Sequence, residues 1–335
     1  MNEQLETSLP DAAGRDSASN AQPRSSRCER FRANRLAFWS ACYLAGLCVL
    51  VILWPLGLTL GRQFGAPAAT VALRYAPDRV SDAQFNPPGI RHWFGTDEHG
   101  RDVFSRTVYG AQISLLVGLV GACVSLVIGV SWGAIAGFGG GRLDSILMRI
   151  VDILYSLPSI IFVIVLITTM GGWLKRWDWV QGSPALAKAV HVALLLTGLG
   201  AVSWLTMARI IRGQVLSLRT RPFVEASRAL GAGRIWILKR HILPNVLGVA
   251  IVYLTLTVPA IVLYESFLSF LGLGIQPPMA SWGSLLAEGV NQINSIRIYW
   301  WLVVYPAAVL IATLLALNFL GDGLRDAWDV KGSAK

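Results

Sequence analysis

Few residues in this 335-residue chain combine the types and spacing that do chemistry, and most of those lie in apolar surroundings. The pattern Gly-x-x-x-x-Gly-Lys-Ser/Thr does not occur, so the chain lacks the usual phosphate cradle for hydrolysing ATP. No nucleophile, base and orienting group stand out as a set, and His191 has no evident partner for an intramembrane hydrolase. His92 and His99, seven residues apart without a further ordered ligand, read as solvated loop histidines, and no metal site is predicted. Cys28, Cys42, Cys48 and Cys123 lack zinc spacing and read as small apolar fillers. Two acids remain in unusual company. Glu265 lies in an apolar run beside Tyr264 and Ser266, where an ionisable group must face the protein interior or a water-filled path. A structural hydrogen bond between subunits is its first reading, and a pathway or gating role the second. Glu225 is the one acid in a segment crowded with basic residues.

The elements that position these residues are hydrophobic. Composition is 54% hydrophobic and only 14% charged, with mean hydropathy +0.54, whereas soluble domains carry about 25% charged residues. This excludes a disordered chain, a disulfide scaffold and a typical soluble enzyme; the chain is an integral membrane protein. The net charge of +10 fits membrane orientation, because cytoplasmic loops hold an excess of Lys and Arg. No basic patch with interleaved aromatics suggests nucleic acid.

Six apolar runs approach the ~20 residues that a bilayer requires: Leu36–Leu60, Ile113–Phe138, Ile153–Trp173, Ala189–Ile211, Val246–Leu271 and Ile298–Leu320. The first has 25 residues, too many for a signal-peptide core, and is read as a retained anchor. With the N-terminus inside, the cytoplasmic segments hold 19 basic residues and the outer ones 10, so both termini are predicted to be cytoplasmic. The predicted organisation is a tail over 1–35, a first transmembrane helix over 36–60 and an extracytoplasmic loop over 61–111. A five-helix core over 112–321 and a C-terminal tail over 322–335 follow.

The second run carries Gly121, Ser125, Gly129, Gly133 and Gly137, a small residue at every fourth position. On a helix these form one stripe for close packing on a neighbouring helix or a partner subunit. Pro158, Pro259 and Pro306 interrupt runs three, five and six and predict kinks.

Between runs four and five, Arg209–Asn245 holds eight basic residues and Glu225. Pro222 suits a first helical turn, and Glu225 close behind it favours the positive end of the helix dipole. Phe223, Ala226 and Leu230 give a short apolar stripe, and Gly231 supplies a stop. A second amphipathic stretch, Ile235–Ile242, leads to Pro244. Such a helix suits either anionic lipid or a groove on a protein.

The segment resembles the EAA motif of permease subunits from bacterial ABC importers: Glu-Ala-Ala, three residues, Gly, nine residues, then a stretch ending Leu-Pro. Glu225-Ala226-Ser227, Leu230-Gly231 and Leu243-Pro244 carry the match, with Ser227 in place of the second Ala and His241 where Ile is usual. A second match is Gly95-Thr96-Asp97, Gly100-Arg101-Asp102, Ser105-Arg106 and Tyr109-Gly110, which resembles the signature of the second permease subunit of dipeptide, oligopeptide and nickel importers. Glu265 to Leu286 is similar to that family's fifth span and following outer loop, and the matches cover about residues 91–328.

The resemblance implies an all-α, six-helix type I ABC importer permease fold in a bacterial inner membrane. It implies a coupling loop at about 212–245 seated in a cytosolic ATPase, a second homologous permease subunit completing a heterodimer, and an extracytoplasmic solute-binding protein. ATP and Mg would be held by the partner ATPases, with no cofactor on this chain, and the cargo would be di- or oligopeptides. Asp97, Gly100, Arg101 and Asp102 read as structural, glycine allowing a tight bend and the acids capping the next helix. The runner-up, an ion-gradient-driven secondary transporter, would want inverted repeats around a midplane site, and no convincing repeat is present.

Overall fold

The computed structural model describes residues 31–63, 70, 72–174, 183–277, 279–293 and 296–328. Most of the predicted N-terminal tail, part of the C-terminal tail, Cys28 and the side chain of His191 lie outside the described residues. The described fold is built mainly from α-helices, and no strand is present among the described residues. In chain order they are α1 Arg35–Gln63, α2 Val103–Gly139, α3 Gly141–Tyr155, α4 Ser159–Leu174 and α5 Pro184–Leu218. There follow α6 Pro222–Ala229, α7 Arg234–Ile237, α8 Leu243–Phe270, α9 Trp282–Asn291 and α10 Trp301–Trp328. A wide π-helical turn, Leu238–Ile242, joins α7 to α8.

Among the described residues, five stretches are long and apolar enough to cross a membrane singly, within α1, α2, α5, α7–α8 and α10. The predicted third span, Ile153–Trp173, is not one helix. Its first residues end α3, and α3 meets α4 at a bend of 87° at Pro158, so six crossings result only if this bent pair is one. Proline restricts the residue before it to extended backbone and cannot continue the hydrogen-bond ladder. Leu157-Pro158 therefore breaks the helix, whereas Pro259 and Pro306 lie inside continuous α8 and α10.

α2 begins ten residues before the predicted span, inside the segment assigned to the outer loop. Its 37 residues extend about 55 Å at 1.5 Å per residue, well beyond a hydrocarbon core of about 30 Å. Hydropathy misses the extra turns because Ser105, Arg106 and Thr107 are polar, yet all three are buried.

α2 is the centre of the bundle and packs most extensively along α5. The small-residue stripe makes that approach: a Cβ on Gly129 would lie 2.6 Å from Met207 Cβ, and one on Gly137 2.9 Å from the Arg212 carbonyl. A Cβ on Gly133 would overlap the Ala208 carbonyl, while Gly121 meets Ile261 of α8. Gly133→Leu is therefore expected to abolish recovery of folded protein in mild detergent. Gly46→Leu on exposed α1, where nothing lies within 4 Å of the added carbon, should leave recovery unchanged. Size-exclusion profiles of the two variants check this.

Candidate functional site

The basic segment after α5 folds as the sequence dictates. Pro222 opens α6 in its first turn, with Glu225 close behind. Val224, fully buried, packs in one apolar cluster with Val215 of α5, Ile237, Ile242 and Val246, and so fixes the underside of α6 to the bundle. The helix stops at a Schellman motif: the Ala232 N–H donates to the Ser227 carbonyl at 3.0 Å and the Gly231 N–H to the Arg228 carbonyl at 2.9 Å. Gly231 has φ +81°, the left-handed conformation that this motif demands.

With Val224 turned inward, the opposite side faces out. Glu225 and Ala226 are exposed and Ser227 is partly buried. Leu230 is 88% exposed, Ile235 70% and Trp236 52%. Leu243 is half-buried at the start of α8, and Pro244 follows it on the surface. The loop thus presents large apolar side chains among arginines from a rigid base, the makings of a docking knob.

At the other end of the bundle, residues 81–102 fold into a tight cap on α2. Gly95 and Gly100 have φ +75° and +69°, and a side chain on Gly100 would strike the Ser81 backbone. Thr96, fully buried, bonds the Ala83 carbonyl and accepts from the Asn86 N–H. Asp102 caps α2, its Oδ2 accepting from the Ser105 N–H at 2.8 Å, while its Oδ1 meets His92 Nδ1 at 2.9 Å. His99 pairs instead with Glu98, so the two histidines point to different partners. Burial, with the Asp102 carboxylate nearby, raises the Tyr75 phenol above its ordinary pKa, and it donates to the Arg91 carbonyl at 2.9 Å. Asp102→Ala removes the cap of α2 and should cost about 1 kcal/mol, read as a lower melting temperature in detergent.

Asp97 does not cap a helix, in contrast to the sequence expectation for both acids. Its Oδ1 accepts from the His99 and Arg101 N–H groups, each at 2.9 Å, and its Oδ2 from Arg101 Nε at 2.7 Å and Arg106 Nη1 at 2.8 Å. Arg106 and Arg101 both reach Glu288 on α9. This four-residue network ties the cap, α2 and α9 together.

Glu265 sits on the inner side of the same region, fully buried. Its Oε1 accepts from Ser269 Oγ at 2.6 Å and its Oε2 from Ser114 Oγ at 2.8 Å. Those hydroxyls accept in turn from backbone N–H groups of Ile275 and Trp282, at 3.0 and 3.3 Å. The carboxylate therefore ends two relays that hold the α8–α9 connection against α2. The hydrogen bonds found for Glu265 lie within this chain, whereas the sequence reading placed them between subunits. Full burial also keeps it off any open path in this conformation.

Comparison with known proteins places these features. The family described as "binding-protein-dependent transport system inner membrane component" matches residues 129–331, which include the bent α3–α4 pair and the whole α6–α7 loop. The chain belongs to this family. Among its relatives, the dipeptide transport system permease protein DppC of Bacillus subtilis is 44% identical over 302 residues, covering 90% of this chain and 84% of that protein. The oligopeptide transport system permease protein OppC of Haemophilus influenzae is 47% identical over 268 residues, covering 78% and 79%. OppC of Escherichia coli K12 is 42% identical over 303 residues, covering 90% and 89%. A solved structure of the MetNI methionine ABC transporter in inward-facing conformations aligns with TM-score 0.50 and 20% identity, over 66% of this chain and 96% of that one, and shares its fold. This permease component is thus a multi-pass inner-membrane protein of an ABC importer.

Three residues of these sites escape sequence reasoning. Val224 reads as one more apolar residue beside the outward stripe. Arg106 and Glu288 are 182 positions apart, and only folding joins them. The signal for Arg106 was its place in the Ser105-Arg106 match, and for Glu288 its lone charge in an apolar turn of α9.

Proposed function

We propose that this chain is the second of two related permease subunits in a heterodimeric, ATP-driven importer of di- or oligopeptides. The exposed knob on α6 and α7 carries this reading: apolar side chains on a base locked by Val224 suit a rigid lever seated in a protein cleft. Glu225, Ala226, Ser227, Leu230 and Gly231 form the coupling contact with a cytosolic ATPase, and Leu243-Pro244 anchors the loop to α8. ATP and Mg bind to the ATPase subunits, and this chain itself catalyses nothing. Closure of the ATPases moves the lever, and the permease pair switches between inward-open and outward-open packings. An extracytoplasmic binding protein delivers the cargo to the face capped by residues 81–102 and α9. Both termini are cytoplasmic, an orientation supported by the basic α5–α8 loop. The peptide cargo is supported by the relatives' names.

Gentle detergent extraction of the tagged chain from its native membrane tests the assembly. A second hydrophobic subunit, ATPase bands and vanadate-sensitive Mg-ATP hydrolysis are expected together. Recovery of the chain alone after crosslinking, with proton-gradient-dependent uptake that needs no ATP, would replace this reading with the secondary transporter.

A further inference from the structure

His241 sits where three pieces of the loop meet through polar and aromatic contacts. Its ring lies 6.0 Å from that of Phe223 on α6, tilted by 57°, and 5.0 Å edge-on from that of Trp236 on α7. Its Nε2 is 3.3 Å from Ser227 Oγ, also on α6. The serine hydroxyl already donates its single proton to the Phe223 carbonyl at 2.8 Å. With that proton committed to the carbonyl, the hydroxyl accepts toward His241, an arrangement that calls for the tautomer protonated on Nε2. Ser227 and His241 are also the two positions at which the loop departs from the EAA pattern, and they touch.

We propose that Ser227 and His241 form a clasp that sets the angle between α6 and α7 before any ATPase is bound. Both are positioning residues, and this role rests on the coupling reading given above. The underside of the loop, Val224 with Ile237 and Ile242, holds α6 and α7 to the bundle by apolar contact, which has no preferred direction. A hydrogen bond does have one. One turn along α6 from Val224, the clasp fixes how Leu230, Ile235 and Trp236 are spaced, and so which ATPase cleft accepts them.

The clasp is read first without an ATPase, by amide hydrogen exchange over residues 222–243 of the purified permease. Ser227→Ala and His241→Ile should each speed exchange in α6 and α7 by about two- to tenfold, the range of one hydrogen bond. Alanine is the better helix former, so faster exchange in Ser227→Ala cannot come from propensity. The double variant should exchange no faster than either single one. His241→Gln, which restores a donor at that reach, should return most of the protection. Affinity for the ATPase subunits co-purified from the native membrane should fall in the same order. Wild-type exchange in both single variants, or effects that add fully in the double variant, would overturn the clasp. A wild-type permease that binds no ATPase while the single variants exchange faster would instead overturn the coupling reading and leave the clasp standing.

Discussion

Gly231→Val is expected to leave the permease in the membrane at wild-type amounts while lowering substrate uptake about five- to thirtyfold. The cost is conformational, not steric, because no atom lies within 4 Å of a Cβ built at this position. A β-branched residue at φ +81° is strained by roughly 1–2 kcal/mol. That is too little to unfold the bundle, whose core lies elsewhere, but a tenfold shift in a local equilibrium needs only about 1.4 kcal/mol. The Schellman motif opens, α6 runs on or frays, and the exposed Leu230, which precedes the substituted position, leaves its place. Substrate-stimulated ATPase activity of the assembled importer should fall together with uptake. Gly231→Asn separates this account from simple crowding, because asparagine tolerates left-handed backbone and should keep most of the transport. Equal loss in the Asn and Val variants, or normal uptake in Gly231→Val, would refute the assignment of Gly231.

Arg106→Met should be the most destabilising single change in the cap formed by residues 81–102, α2 and α9. Arg106 is 5% exposed and bridges two carboxylates, Asp97 and Glu288. Its removal leaves Asp97, itself 8% exposed, with Arg101 as its remaining charged partner in the network. Breaking a buried pair by deleting one partner costs about 3–5 kcal/mol. The loss falls on the contact between α2 and α9, so a cysteine placed at Leu286 should become reactive to a water-soluble maleimide, and the melting temperature in detergent should drop. Arg106→Lys should rescue little, since an ammonium group cannot span two carboxylates as the guanidinium fork does. Unchanged melting and an unreactive Leu286→Cys would show that the apolar packing of Trp282 and Leu285 holds α9 without the ion pairs.

The sequence alone carries the membrane class, the number of apolar runs and the outline of the basic loop between α5 and α8. These follow from local quantities. A run of about 20 apolar residues has no other stable setting, Pro222 and Gly231 mark the ends of a helix by their own backbone limits, and a four-residue spacing of small side chains makes a stripe on any α-helix. The tertiary structure decided what local patterns leave open. It chose α5 as the main neighbour of that stripe and turned Val224 inward, so that Leu230 faces out. Of the three prolines that predict kinks, it broke the helix at Pro158, bending the third apolar run, while α8 and α10 run on through Pro259 and Pro306. It closed Glu265 onto serines of its own chain and joined Arg106 to Glu288. Each of these pairings links residues distant in sequence or selects one face among several apolar ones, and only the folded packing supplies that choice.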